Sequence, residues 1–236
     1  MSARDEILAA VRRSLRVTGD EAPRRAAAQA RLAQSPAGII PRRGQGDAGK
    51  RAATFGKEAT RAQASLAGVA EAADVPAEVA RFLRENNLAA AVRMGEDARL
   101  SAMPWGATAL EISRGPSDGH DLNAVSAAFA AVAESGTLAL VSGPDNPTTL
   151  AFLPDNHIVV MFADDLVGDY ESVFVKLRAV YGAGAAPRTV NFITGPSRSA
   201  DIEETLLLGA HGPRRLHIVV VGAAREASAA EAGAEK

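Results

Sequence analysis

The run Thr194-Gly195-Pro196-Ser197-Arg198-Ser199-Ala200-Asp201-Ile202-Glu203 sets hydroxyls, a guanidinium and two carboxylates within one short stretch. An arginine grips a carboxylate or phosphate through two parallel N–H bonds. Ser197, Ser199 and the backbone amides can complete an anion pocket around Arg198, with Thr194 ahead of it. Asp201 and Glu203 lie two apart, so they diverge on a helical turn and share a face in extended chain. Downstream, Leu208-Gly209-Ala210-His211-Gly212-Pro213 holds a histidine between turn residues, a candidate acid or base near neutral pH. Upstream, Glu134-Ser135-Gly136-Thr137 admits two readings. Gly136 either makes a left-handed turn that brings Glu134 and the Thr137 hydroxyl to a cleft, or it caps a helix and leaves Glu134 in solvent. Ser142-Gly143-Pro144-Asp145-Asn146-Pro147 reads as turn chemistry.

Other patterns are incomplete. Gly44-Gln45-Gly46-Asp47-Ala48-Gly49-Lys50 matches most of a phosphate-binding loop, but Arg51 follows where Ser or Thr must hold magnesium. No strand runs into it, since Ile39-Ile40 stops at Pro41, so a flexible basic loop is expected. There is no Gly-x-Gly-x-x-Gly after a strand and no Gly-x-Ser-x-Gly elbow. His120, His157, His211 and His217 show no metal-ligand spacing, and His217, at the start of an apolar run, reads as a structural side chain.

The elements that position these loops alternate. Ser2 and Asp5 are spaced as a capping box before an amphipathic helix with Ile7, Leu8, Val11 and Leu15 on one face. From Thr18 to Lys57 the chain is rich in Ala, Arg and Gly and broken by Pro23, Pro36 and Pro41, the pattern of a mobile arm. Pro76 suits a helix first turn. Strands are expected at Ala89–Val92, Thr108–Ile112, Leu138–Val141, Ile158–Phe162, Val190–Ile193 and Leu216–Val221. Helices or helical turns are expected at Ala127–Ala133, Pro147–Leu153 and Tyr170–Tyr181. The continuous run Ile158–Phe162 marks a strand covered on both faces. The fold class is therefore α/β, three-layer, with a mainly parallel central sheet and helices on both faces. A helix and basic flexible arm over 1–57, an α/β domain over 58–222 and a disordered tail over 223–236 complete the layout.

Composition narrows the function classes. Alanine supplies 51 of 236 residues, so the 47% hydrophobic content contains only about 60 larger apolar side chains, enough for one packed domain. Without cysteine there is no disulfide, thiolate nucleophile or cysteine-ligated iron–sulfur cluster. No run of about 18 apolar residues offers a membrane span, and the start Arg4-Asp5-Glu6 is unlike a secretory signal, so a cytoplasmic location is expected. Residues 1–60 hold 12 Lys/Arg against 6 Asp/Glu, and the rest holds 14 against 22, a basic head on an acidic body. The net charge of −2 gives no sign of a nucleic-acid partner.

The segments 194–203, 208–213 and 216–221 resemble, in order, the C-terminal signature of the LUD-domain family, and Glu-Ser-Gly-Thr at 134–137 resembles its Glu-Thr-Gly-Thr. The resemblance covers about residues 70–222, and the opening helix and arm fit it more loosely. It implies a sheet like that of the NagB/RpiA/CoA-transferase group. It also implies a cluster-free subunit of an L-lactate utilization system, working beside two iron–sulfur proteins of A and B types, with no cofactor bound by this chain. On that reading Glu134 and His211 are candidate catalytic groups, and Thr137, Thr194, Gly195, Ser197, Arg198, Asp201 and Glu203 are candidates for binding a small anion such as lactate. The alternatives are a stand-alone enzyme of the same fold acting on a sugar phosphate or acyl-CoA, and an adaptor whose basic arm docks an acidic partner.

Overall fold

The computed structural model describes residues 2–34, 36–202 and 205–222. The chain divides into two compact units, residues 1–39 and 40–236. The expected tail at 223–236 and Glu203 lie outside the described residues.

The first unit holds helices α1 (Ala3–Leu15) and α2 (Ala22–Gln34), neither with a buried residue. The Ser2 hydroxyl accepts from the Asp5 amide and the Asp5 carboxylate accepts from the Ser2 amide, the capping box its spacing predicts. The Thr18–Lys57 stretch differs from the arm expected of it. Pro23 lies in the first turn of α2, where a missing amide costs no helical bond. Helix α3 (Ala48–Arg61) begins at Asp47, whose side chain accepts from the Lys50 amide. Phe55 and Ala59 are buried on its inner face, so residues 48–57 belong to the packed second unit. The weak apolar signal of this helix comes from its alanines, which are inconspicuous in a sequence and close-packed in a fold.

The second unit continues with β1 (Ser65–Val69), α4 (Val75–Glu85), β2 (Ala91–Met94), α5 (Ala98–Ser101) and β3 (Glu111–Arg114). Next come β4 (Asn123–Ala127), β5 (Ala130–Val132), β6 (Thr137–Val141), β7 (Asn156–Phe162), β8 (Leu166–Val167) and α6 (Tyr170–Tyr181). The described chain closes with β9 (Val190–Ile193), β10 (Arg198–Ile202), β11 (Thr205–Leu208) and β12 (Arg215–Val221). Six strands form a parallel sheet in the order β1-β12-β7-β4-β2-β3. A second sheet, β8-β5-β6-β9, is mostly antiparallel, and β10 pairs with β11 as a hairpin.

The three-layer reading holds, and β7 shows why. Ile158 and Val160 pack with Val79, Phe82 and Leu83 of α4, while Val159 and Met161 pack with Phe55 of α3 and Leu138 and Leu140 of β6. A strand covered on both faces reads as a near-continuous apolar run, here from Ile158 on after the buried Asn156 and His157. Helix α6 covers the far side of the second sheet through Val173 and Leu177, against Ala130, Val132 and Ala139.

The helix expected over Ala127–Ala133 is instead the end of β4 followed by β5. Ala131 and Ala133 pack toward the central sheet, while Ala130 and Val132 pack toward α6. That alternation of period two, together with pairing of Ala130 to Ala139, outweighs alanine's helical preference.

Two histidines are structural. His217 is 2% exposed, stacks on Phe82 with centroids 4.1 Å apart, and bonds Ser65 Oγ at 2.8 Å and Glu78 Oε1 at 3.1 Å. His157 bonds Ser126 Oγ at 3.0 Å, and complete burial pushes its pKa down to about 4.

Two outcomes follow. Phe55→Ala should cost about 3 kcal/mol or more in urea unfolding, whereas Leu32→Ala, on an 82% exposed side chain, should stay within about 0.5 kcal/mol. His157 binds its proton more weakly when folded, so its contribution is complete above its ordinary pKa and is lost as pH falls toward 4. Unfolding curves across that window should show a loss of about 3 kcal/mol from this residue, reduced in His157→Leu.

Candidate functional site

Glu134-Ser135-Gly136-Thr137 forms the tight turn of the β5–β6 hairpin. Gly136 takes φ +66°, and its amide donates to Val132 O at 3.0 Å. A Cβ here would lie 2.3 Å from Ala59 N, so α3 sits directly on the glycine. This is the left-handed turn of the two readings, and Glu134 is buried at 4% exposure.

Glu134 faces the start of α6. The Tyr170 amide donates to its Oε1 at 3.4 Å, as a helix N-terminus does toward an acidic group. Its Oε2 is buried without a hydrogen-bond partner among the described residues. Beside it four hydroxyls meet. Thr137 Oγ1 lies 2.7 Å from Ser135 Oγ, 2.8 Å from Tyr170 Oη and 2.6 Å from Thr194 Oγ1, and Ser135 Oγ donates to Tyr170 Oη at 3.0 Å. Thr137 is fully buried, Ser135 and Tyr170 are half-buried and Thr194 is exposed, so the cluster opens outward at Thr194.

A strap closes the inner side. A Cβ on Gly44 would lie 2.0 Å from Gly168 O and 2.8 Å from Glu134 Cβ. Gln45 Nε2 donates to Asp169 Oδ2 at 2.8 Å, while Asp169 Oδ1 accepts from the Ser172 amide and caps α6. The segment expected as a flexible loop is thus a 3₁₀ turn (Arg42–Gly44) leading into α3.

The C-terminal loop carries a second group. Gly195 takes φ +72°, and a Cβ there would lie 2.0 Å from Ala62 O, just beyond α3. Ser197 donates its amide to Pro213 O at 2.8 Å and accepts the His211 amide on Oγ at 3.3 Å. Ser197 and His211 therefore meet through the backbone, and His211 is exposed. Arg198 is exposed at the start of β10, opposite Leu208. Asp201 lies in the same extended strand. The fold thus gathers Glu134, Thr137 and Thr194 in one place and Ser197 with His211 in another, linked by the short loop from Thr194. Reading the sequence for reactive types passes over Tyr170, Gln45 and Asp169, which only the packing brings in; Asp169 ahead of an apolar helix was the available cue.

The Ser142–Pro147 turn lies elsewhere. It borders a cavity of about 350 Å³ with Asp97, Arg99, Ala127 and Phe129, beyond the C-terminal ends of β2 and β4.

A three-layer α/β unit with a buried glutamate on a hairpin turn is the class that fold and site define. Residues 123–221 match the LUD domain, so the resemblance carried by the loop motifs holds. The chain is 38% identical over 90 residues to lactate utilization protein C of Shouchella clausii, covering 38% of this chain and 39% of that one. It is 34% identical over 151 residues to the protein of the same name from Exiguobacterium sp., covering 60% and 65%. The matched stretches therefore span from about two fifths to under two thirds of those relatives. A crystal structure of a DUF162 family protein from Deinococcus radiodurans shares the fold, with TM-score 0.56 and 22% identity over 75% of this chain and all of that one. No described helix is long and apolar enough to cross a membrane.

Gly136→Ala forces a Cβ into the α3 backbone at a positive φ. It should cost more than about 2 kcal/mol in denaturant midpoint, while Gly106→Ala, where nothing lies within 4 Å of the added carbon, should cost little.

Proposed function

We propose that this chain serves lactate utilization by holding a small hydroxy acid between Glu134 and the hydroxyl cluster. One observation carries the reading: a buried carboxylate oxygen, Glu134 Oε2, has no partner among the described residues, and the same carboxylate accepts from the amide of Tyr170, whose hydroxyl belongs to a cluster of four that bond one another. A buried acceptor left open is costly, and the hydroxyl of a hydroxy acid is the donor that satisfies it. Oxidation of lactate to pyruvate removes two electrons and two protons. Glu134 Oε2 takes the hydroxyl proton as general base while Ser135, Thr137, Tyr170 and Thr194 orient the ligand, and the C2–H bond breaks with its hydrogen and electron pair passing together to the acceptor that the partner proteins supply.

The electrons need another carrier. The chain has no cysteine, and among the described residues no cluster of three His, Asp or Glu could hold a metal ion. Its residues do not suit an iron–sulfur cluster, so that chemistry belongs to the two iron–sulfur partners. The names of the similar proteins, lactate utilization protein C, support a role in lactate utilization. His211, exposed on its loop, stands where a partner or ligand reaches it before the buried cluster.

Reconstitution with both partners tests the assignment. Glu134→Gln should lower lactate-dependent reduction of the partners by about 10²-fold or more with little change in thermal midpoint. Undiminished turnover would remove Glu134 from the reaction. The buried carboxylate also suits a nucleophile in a stand-alone transferase, and multiple turnovers of an acyl-CoA or sugar phosphate by the single chain would establish that reading instead.

A further inference from the structure

Arg51 is the residue at which the phosphate-loop pattern fails, and its placement gives it another use. It lies on the face of α3 that also carries Phe55 and Ala59, four and eight positions on, one stacked row of a helix. That face meets the Glu134–Thr137 turn, because Gly136 rests on Ala59. Arg51 Nη1 donates to Gly46 O at 3.2 Å, two residues beyond Gly44, which touches Glu134 Cβ. Its Nε is buried and has no hydrogen-bond partner among the described residues.

Two buried polar atoms of opposite character thus lie on segments that meet at this turn, Arg51 through Gly46 and Glu134 through Gly44. Arg51 Nε is a donor without an acceptor, and Glu134 Oε2 is an acceptor without a donor. Neither satisfies the other, so a ligand offering both an acceptor and a donor would satisfy both. With Nη1 held by Gly46, the guanidinium keeps its Nε–Nη2 edge, two parallel N–H groups of the width of a carboxylate. Arg198 has no such setting: it is exposed on the hairpin, where an ion pair is worth little.

We propose that Arg51, rather than Arg198, binds the carboxylate of the substrate, and that the site selects 2-hydroxy monocarboxylates by pairing this contact with a hydroxyl on Glu134. This rests on the proposed function and narrows it to a ligand class. Lactamide, which keeps the hydroxyl and shape of L-lactate but lacks its charge, isolates the arginine's part.

Calorimetric titration of the full chain with L-lactate and with lactamide supplies the readout. The wild type should prefer lactate by about tenfold or more. Arg51→Gln should bring the ratio close to one, and Arg198→Ala should leave it unchanged. Circular dichroism reports folding, and if Arg51→Gln does not fold, Arg51→Lys decides, since it keeps the charge without the two-pronged edge and should lower the ratio several-fold. A ratio unmoved in the folded Arg51 variant overturns the arginine assignment while leaving the functional reading intact. A wild type that binds neither compound overturns both.

Discussion

Helix α3 comes nearer to two loops of the second unit than a side chain would permit. A Cβ on Gly136 would lie 2.3 Å from Ala59 N, and one on Gly195 would lie 2.0 Å from Ala62 O. Both glycines have positive φ, so conformation and space each demand glycine. The first contact fixes the hairpin turn bearing Glu134 and Thr137; the second fixes the loop running from Thr194 to Ser197. The hydroxyl cluster that joins these loops, Thr137 to Thr194 at 2.6 Å, thus depends on one helix holding both backbones in place.

The approach is possible because the surrounding layer is built from small residues. Ala59, Ala128, Ala131 and Ala133 are fully buried, and they pack among Val159, Met161 and Ile218 of the central sheet. An alanine buries little apolar area by itself, but it lets backbones come together, and interiors packed at crystal-like density gain from many close contacts. The high alanine content marks more than a light core. In the second unit it is the means by which a helix and a small sheet share one face of the central sheet.

Much of this architecture was legible in the sequence and some of it was not, for identifiable reasons. Ile158–Phe162 and Leu216–Val221 announce themselves through continuous apolar runs, and the helix from Tyr170 buries Val173 and Leu177 while Val175 and Val180 stay exposed. The central sheet and its layers followed from them. Alanine-rich segments misled, because alanine carries little periodic signal: β5 reads as helix and α3 as arm, although each buries its alanines on defined faces. At the site, Glu134, Thr137 and Thr194 stand out by residue type and are neighbours, while Arg198, equally suggestive by type, lies exposed. Tyr170 and Gln45 lie far along the chain from the motifs they touch, and no local pattern links them.

What the sequence could not express is which polar atoms remain open after folding. Gln45 and Asp169 satisfy each other across the strap, Ser172 completes the cap of α6, and the hydroxyls bond among themselves. Against that pairing three buried atoms stay open among the described residues: His157 Nδ1 inside the core, and, near the hairpin turn, an open carboxylate oxygen of Glu134 and an open guanidinium nitrogen of Arg51. Each unsatisfied buried group costs on the order of 1–3 kcal/mol, and folding alone would favour closing them on each other or replacing them with apolar side chains. Their persistence on adjoining segments is physically reasonable where a ligand completes the pairing, and a molecule bearing an acid and a neighbouring hydroxyl carries the two complementary groups.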